Sequence, residues 1–179
     1  GYAAAYRSNA ITRHGEHGNA LLSRWPLGDV GHHDVSDHRF EQRGLLHVPV
    51  SWNGVRLHAV VAHLGLMHSS RVRQLQLLAA YLEAAVPRDE PLIVAGDVNI
   101  HLERPDEPHS RRFTELLATY GLQSHVAAPT HDHGGCLDIV ATRVDLPALR
   151  IDIVDPGFSD HLDPIDTVAS RVLARKMRL

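Results

Sequence analysis

The chain has one cysteine, Cys136, in 179 residues, so no disulfide can form within it. An oxidising compartment is not required, and a cytoplasmic protein is the plain expectation. No run of about 18 apolar residues occurs, which excludes a transmembrane helix. The longest apolar stretches, such as Leu92 to Ala95, have the length of a strand. The first residues, Gly1 to Arg7, lack a basic start followed by an apolar core and do not read as a signal peptide. Strong positive charge is missing too: the formal net charge is −3, Lys176 is the only lysine, and arginine supplies the other cations. That balance argues against an obligate packaging or scaffold role on nucleic acid. Aromatic residues make up 5%, and no stacking platform for bases stands out. Internal repeats, low-complexity tracts and heptads are absent, which excludes solenoids and coiled coils.

What remains is the composition of an ordinary globular protein, 44% hydrophobic and 22% charged. One domain over residues 1–179 is the expected organisation. Histidine is the abundant residue, at 15 copies, and most of these must be bland polar positions. Only a histidine inside a motif is informative.

Asn19 to Arg24 reads as a short buried strand closed by Trp25-Pro26. Asp29 to Asp37, polar and histidine-rich, reads as a loop or an exposed edge. Gly44 to Val50 and Val55 to Leu64 flank Asn53-Gly54 and predict an antiparallel hairpin, because Asn-Gly suits the positive φ of a tight turn. Ser69 and Ser70 are candidate caps for a helix with Leu75, Leu78, Leu82 and Ala85 on one face. Pro91 to Ala95 predicts a central strand. Ser110 is a candidate cap for a second helix, with Phe113, Leu116, Leu117 and Tyr120 on one face and Gly121 as its stop. Leu137 to Thr142, Leu149 to Val154 and Pro164 to Val172 read as strands. The order predicts sheets covered by helices.

Four short motifs carry chemistry. In Ile93-Val94-Ala95-Gly96-Asp97-Val98-Asn99, an apolar strand delivers Asp97 and Asn99 at its end. Asp97 can take a proton or bind a cation, and Asn99 can donate to a phosphoryl oxygen. On extended chain the two share a side. A polar strand-end turn would use the same residue types. Ser159-Asp160-His161 offers a metal ligand and a phosphate-polarising group, or simply a solvated loop. Val61-Ala62-His63-Leu64 ends an apolar strand in a histidine, which also fits a hydrogen-bonded core histidine. In Cys136-Leu137-Asp138-Ile139-Val140, Asp138 interrupts an apolar strand, and burying a carboxylate is costly unless it is paired. A histidine partner would account for it.

Together, and in this order, the four motifs resemble the endonuclease/exonuclease/phosphatase superfamily. Gly18-Asn19-Ala20-Leu21-Leu22-Ser23-Arg24-Trp25-Pro26-Leu27 is similar to a strand-and-turn segment of that superfamily, and Arg43-Gly44-Leu45-Leu46 to the strand after it. Arg71 and Gln74 fall where members often carry these residues. Pro129-Thr130-His131, with Gly134, Gly135 and Leu137 to Arg143, resembles the retrotransposon-type endonucleases of the group. The match is strongest over 18–168. The resemblance implies an α+β fold, a two-sheet α/β/β/α sandwich, here N-terminally shortened. It implies that His63 contacts the scissile phosphate, Asp97 orients or deprotonates a water, Asn99 binds the phosphate, His161 polarises it and Asp138 orients His161. Asp160 would help hold a divalent cation, Mg2+ or in its place Mn2+. The substrate would be a phosphoester, with nucleic acid among the candidates.

Members of the superfamily carry further strands upstream, one of them ending in a metal-binding glutamate. Here Glu16 is the only acidic residue before Asn19, and its polar surroundings do not fit that role. The expected consequence is a missing carboxylate and an exposed sheet edge. Three arrangements account for it: a piece of a longer protein, a short form completed by a second copy, or a member that binds without cleaving. Two histidine clusters, His131/His133/Cys136 and His32/His33/Asp34, lack the paired spacing of structural zinc sites. The functional expectation is a metal-dependent hydrolase of phosphodiesters or phosphomonoesters. The alternatives are an oligomer-completed binding module and, last, an esterase, for which no Gly-x-Ser-x-Gly elbow exists.

Overall fold

The computed structural model describes residues 1–13, 15–125, 129–131, 134–143, 149–154, 163–168 and 172–178. Along the chain run β1 (Ala3–Thr12), β2 (Gly15–Ser23), β3 (Gly31–Asp34), β4 (Gly44–Trp52), β5 (Val55–His63), α1 (His68–Ala85), β6 (Leu92–Asp97), α2 (Pro108–Thr119), β7 (Leu122–Ser124), β8 (Asp138–Arg143), β9 (Leu149–Val154), β10 (Asp163–Val168) and β11 (Val172–Arg178). They form a five-stranded sheet, β1-β2-β11-β10-β9, and a six-stranded sheet, β3-β4-β5-β6-β8-β7.

Asn53 (φ 47°) and Gly54 (φ 82°) turn β4 into β5 as their residue types predict. Leu45 then lies opposite Ala62, and Trp52 opposite Val55. β5 and β6 run parallel, with α1 as the crossover between them. Both strands are buried on both faces, which explains their unbroken apolar runs. One face, with Leu57, Ala59, Val61, Ile93 and Ala95, meets Ala5 and Leu21 of the other sheet. The opposite face, with Val60, Ala62, Leu92 and Val94, packs on Leu75, Leu78 and Leu82 of α1 and on Phe113 and Leu117 of α2. Burial of each such side chain contributes about 1.5–3 kcal/mol, so these two layers hold the strand ends in place. Both described helices cover the six-stranded sheet, so helices, sheet and sheet are the three layers seen of the expected four.

Several expectations need correction. The polar segment before Asn19 is not empty of structure. β1 pairs antiparallel with a β2 that begins at Gly15, and β1 forms the edge of its sheet. Edge strands bury little, so their periodicity is weak in sequence. The expected last strand over Pro164 to Val172 is two, β10 and β11, with Ile165 opposite Leu173. The three serines do not cap. α1 starts at His68 after an extended Met67, and the Ser70 hydroxyl donates to Asp37 (2.7 Å). α2 starts at Pro108, whose ring suits a first turn, and the Ser110 hydroxyl donates to the His101 carbonyl (2.8 Å). Gly121 does stop α2, at φ 66°. No described helix is long and apolar enough to cross a membrane.

Candidate active site

Parallel pairing brings the C-terminal ends of β5 and β6 level, so His63 lies opposite Asp97. β8 runs antiparallel to β6, which sets its first residue, Asp138, opposite Asp97 from the other side. Three residues distant in sequence thereby form one row across three strands. His63 Nε2 stands 3.5 Å from Asp97 Oδ2. All three are largely buried, at 9%, 5% and 8% exposure, so the row forms the wall of the fold and not its solvated rim.

Gly96 permits this row. Its φ is 121°, and a Cβ there would stand 2.1 Å from the Ala62 carbonyl oxygen. The strand ends at Asp97, and Asn99 adopts a left-handed φ of 51°. Asp97 and Asn99 therefore do not share a face of extended chain as expected. A turn joins them, in which Asn99 N–H donates to Asp97 Oδ1 (2.9 Å). Asparagine tolerates that φ better than most residues. The Asn99 side-chain amide donates to the Leu64 carbonyl (2.8 Å), and Leu64 N–H donates to the Asp97 carbonyl (2.9 Å). The two strand ends are thus laced together. Asp138 N–H donates to Thr130 Oγ1 (3.0 Å), and Thr130 is fully buried.

Two cations stand behind the row. Arg43 Nε donates to the Leu64 carbonyl (3.2 Å), and Arg71 donates to the carbonyls of Gly65 (3.2 Å) and Leu66 (2.5 Å). Burial pushes both guanidinium pKa values down, while the negative charges of Glu41 and Asp97 oppose the shift. Gln74, fully buried, accepts from Gly65 N–H (2.7 Å).

Asp160 and His161 lie outside the described residues. Their roles, and the pairing of Asp138 with His161, are therefore not assigned by geometry. The site supplies oxygen donors of the kind a hard cation takes, in Asp97, Asp138 and Asn99. Among the described residues, however, no group of three His, Cys, Asp or Glu side chains could hold a metal ion. The described donors alone do not make a cation site. His133 of the cluster His131/His133/Cys136, which lacks zinc-site spacing, is also outside the described residues.

Two residues at this end went unremarked as site residues in sequence. Asn19, 2% exposed, reaches from β2 to the carbonyls of Gly44 (2.7 Å) and Val61 (3.1 Å) and ties the two sheets together beside the row. A buried asparagine within an apolar strand was the available signal. Glu41 accepts from Leu66 N–H (2.8 Å) and from Arg43 (3.2 Å). Nothing in its local sequence marked it.

A two-sheet α+β sandwich with this row of a histidine and two carboxylates at level strand ends defines the class. The model of the Endonuclease/Exonuclease/phosphatase family matches residues 1–161, and the chain belongs to that family. Over 106 residues it is 38% identical to the protein named "Uncharacterized protein YbhP" of Escherichia coli K12, covering 58% of this chain and 42% of that protein. Its fold is similar to an endonuclease/exonuclease/phosphatase from Beutenbergia cavernae, with a TM-score of 0.69 at 22% identity over 98% of this chain and 53% of that one. An AP endonuclease from Archaeoglobus fulgidus aligns with a TM-score of 0.65 at 17% identity, over 98% of this chain and 79% of that one. The chain spans about half the length of the YbhP relative and of the Beutenbergia protein.

Proposed function

We propose that this chain carries the greater part of a phosphodiesterase site, in which an activated water displaces an alcohol from phosphorus. The observation behind the reading is the His63–Asp97 pair at 3.5 Å, with the second Asp97 oxygen anchored by Asn99 N–H. A carboxylate held at one oxygen can orient a proton carrier or a water with the other. His63, beside it, would contact the phosphate and the departing oxygen. The Asn99 amide, which gives one hydrogen to the Leu64 carbonyl, would bind developing charge with the other, and Asp138 would orient His161, which would polarise the phosphate. Asp160 would help hold Mg2+, or Mn2+ in its place, and a bound divalent cation supplies charge neutralisation at the phosphoryl oxygens. The reading includes phosphomonoesters as substrates and a reducing compartment such as the cytoplasm, the latter resting on the single cysteine.

Hydrolysis of bis(p-nitrophenyl) phosphate and of plasmid DNA with Mg2+ or Mn2+ tests it. Loss of about 100-fold or more in both His63→Ala and His161→Ala is expected, the usual size of a general acid–base contribution. Equal rates in wild type and both variants would sink it.

One observation favours a second reading, an assembly completed by another copy. The ten-residue strand β1 stands at the end of its sheet, where a further strand can pair. Light scattering decides between them: a monomer at micromolar concentration with hydrolytic activity rules the second reading out.

A further inference from the structure

The turn Leu64–Leu66 joins His63 to α1, and all six of its backbone polar groups have partners. Leu64 N–H donates to the Asp97 carbonyl, and the Leu64 carbonyl accepts from Asn99 (2.8 Å) and Arg43 (3.2 Å). Gly65 N–H donates to Gln74, and both the Gly65 and Leu66 carbonyls accept from Arg71. Leu66 N–H donates to Glu41 Oε1 at 2.8 Å. The same carboxylate oxygen accepts from Arg43 Nη2, so one group locks both the turn and the cation that grips it. A Cβ at Gly65 would stand 2.3 Å from Glu41 Oε2 and 3.2 Å from Gln74 Nε2, so the clamp closes directly onto the chain.

A strand-to-helix connection ordinarily leaves such groups to water. This one is held instead by side chains that are themselves buried or half-buried, although Leu66 and Met67 at its tip are 69% and 54% exposed. Such support is expected where a side chain must be held to within about half an ångström, and that side chain is His63.

We infer that Glu41 is a positioning residue for the reaction proposed above: through Leu66 N–H and Arg43 it fixes the turn that sets His63 against Asp97 and receives the Asn99 amide. The inference rests on that proposed reaction and acts through His63 and Asn99, not on substrate.

The test compares wild type, Glu41→Ala, Glu41→Gln and Gly65→Ala in the 179-residue chain, with bis(p-nitrophenyl) phosphate and Mn2+. Glu41→Ala should lower kcat about 30-fold or more with KM within threefold, the signature of lost orientation. Glu41→Gln keeps an acceptor for Leu66 N–H and should recover to within about fivefold of wild type, because the neutral acceptor retains the geometry. Gly65→Ala should reproduce the Glu41→Ala loss. Amide exchange at Leu66, measured alongside, should accelerate in Glu41→Ala and not in Glu41→Gln. A loss carried by KM, a loss that glutamine does not recover, or unchanged kcat in Glu41→Ala overturns the inference. If wild type hydrolyses nothing, the proposed reaction fails instead, and exchange at Leu66 still decides the clamp: unchanged exchange in Glu41→Ala refutes it.

Discussion

β5 carries a buried histidine near each end, and the two ends differ in how those histidines are used. At the N-terminal end, His58 and His47 form a closed chain: Tyr81 hydroxyl to His47 Nδ1 (2.9 Å), His47 Nε2 to His58 Nδ1 (2.7 Å), and His58 Nε2 to Glu90 (2.5 Å). All four ring nitrogens are used within the protein. At the C-terminal end, His63 faces Asp97 across a looser 3.5 Å, in a row with a second carboxylate, where two strands feed the two helices. Both ends pair histidine with a carboxylate, so that pairing does not mark a reaction centre. The difference lies in placement. The first cluster spends its polar groups on tying β4, β5, α1 and the turn before β6 together. The second gathers residues whose chemistry is directed at the end of the sheet.

Removing one histidine from each end should separate the two uses most strongly. His58→Ala strips the buried Nε2 of His47 of its partner and takes from Glu90 its nearest one, and should cost about 2–3 kcal/mol of stability. Its kcat should stay within about twofold of wild type, since no reacting group has moved. His63→Ala removes a partner of buried Asp97 and should also lose stability, but it should lower hydrolysis about 100-fold or more. Urea unfolding and steady-state rates on the same preparations check both, and loss of activity in His58→Ala with an unchanged midpoint would erase the distinction.

A smaller effect is expected from pH. Burial, then the charges of His58 and Arg56, push the His47 pKa from 6.5 down to about 4. The unfolded chain takes up the His47 proton as pH falls through about 6.5, whereas the folded protein resists until about pH 4. Stability from this group is thus complete above pH 6.5 and is lost progressively between 6.5 and 4. His33, stacked on Tyr81 at 4.9 Å, and Glu90 face the same cluster. Unfolding free energies across that range should fall more steeply in wild type than in His47→Gln, by up to about one proton's worth of slope. An unchanged slope in that variant would remove His47 as its source.

The smallest effect belongs to Arg56, whose Nε stands 4.0 Å from Glu90 at the solvated edge of the cluster. Its side chain is 64% exposed, so Arg56→Ala should change stability by no more than about 0.5 kcal/mol. A larger change in the urea midpoint would mean that the closed chain extends to the surface.

Much of the fold was legible in the sequence because its signals are local. Asn53-Gly54 fixes a hairpin, Gly121 stops a helix, and Leu75, Leu78 and Leu82 mark one helical face. β1 and β11 were not legible: β1 is an edge strand that buries little, and β11 finds its partner β2 near the other end of the chain. The serines misled for a related reason: Ser70 and Ser110 satisfy distant partners, Asp37 and His101, and not the helix ends beside them. His63, Asp97, Asn99 and Asp138 were legible as residue types at strand ends. Asn19 stood out only as an asparagine in an apolar strand, and Gln74 and Glu41 take their meaning from the turn after His63, outside their own local windows.

The sequence by itself determined the residue types, the turns and the order of motifs, because those depend on neighbouring φ, ψ and hydrophobic pattern. Only the tertiary structure set His58 in a chain with His47, Tyr81 and Glu90, and His63 in a row with Asp97 and Asp138. That choice follows from strand register: a shift of one residue between β5, β6 and β8 would turn those side chains to opposite faces and dissolve the row.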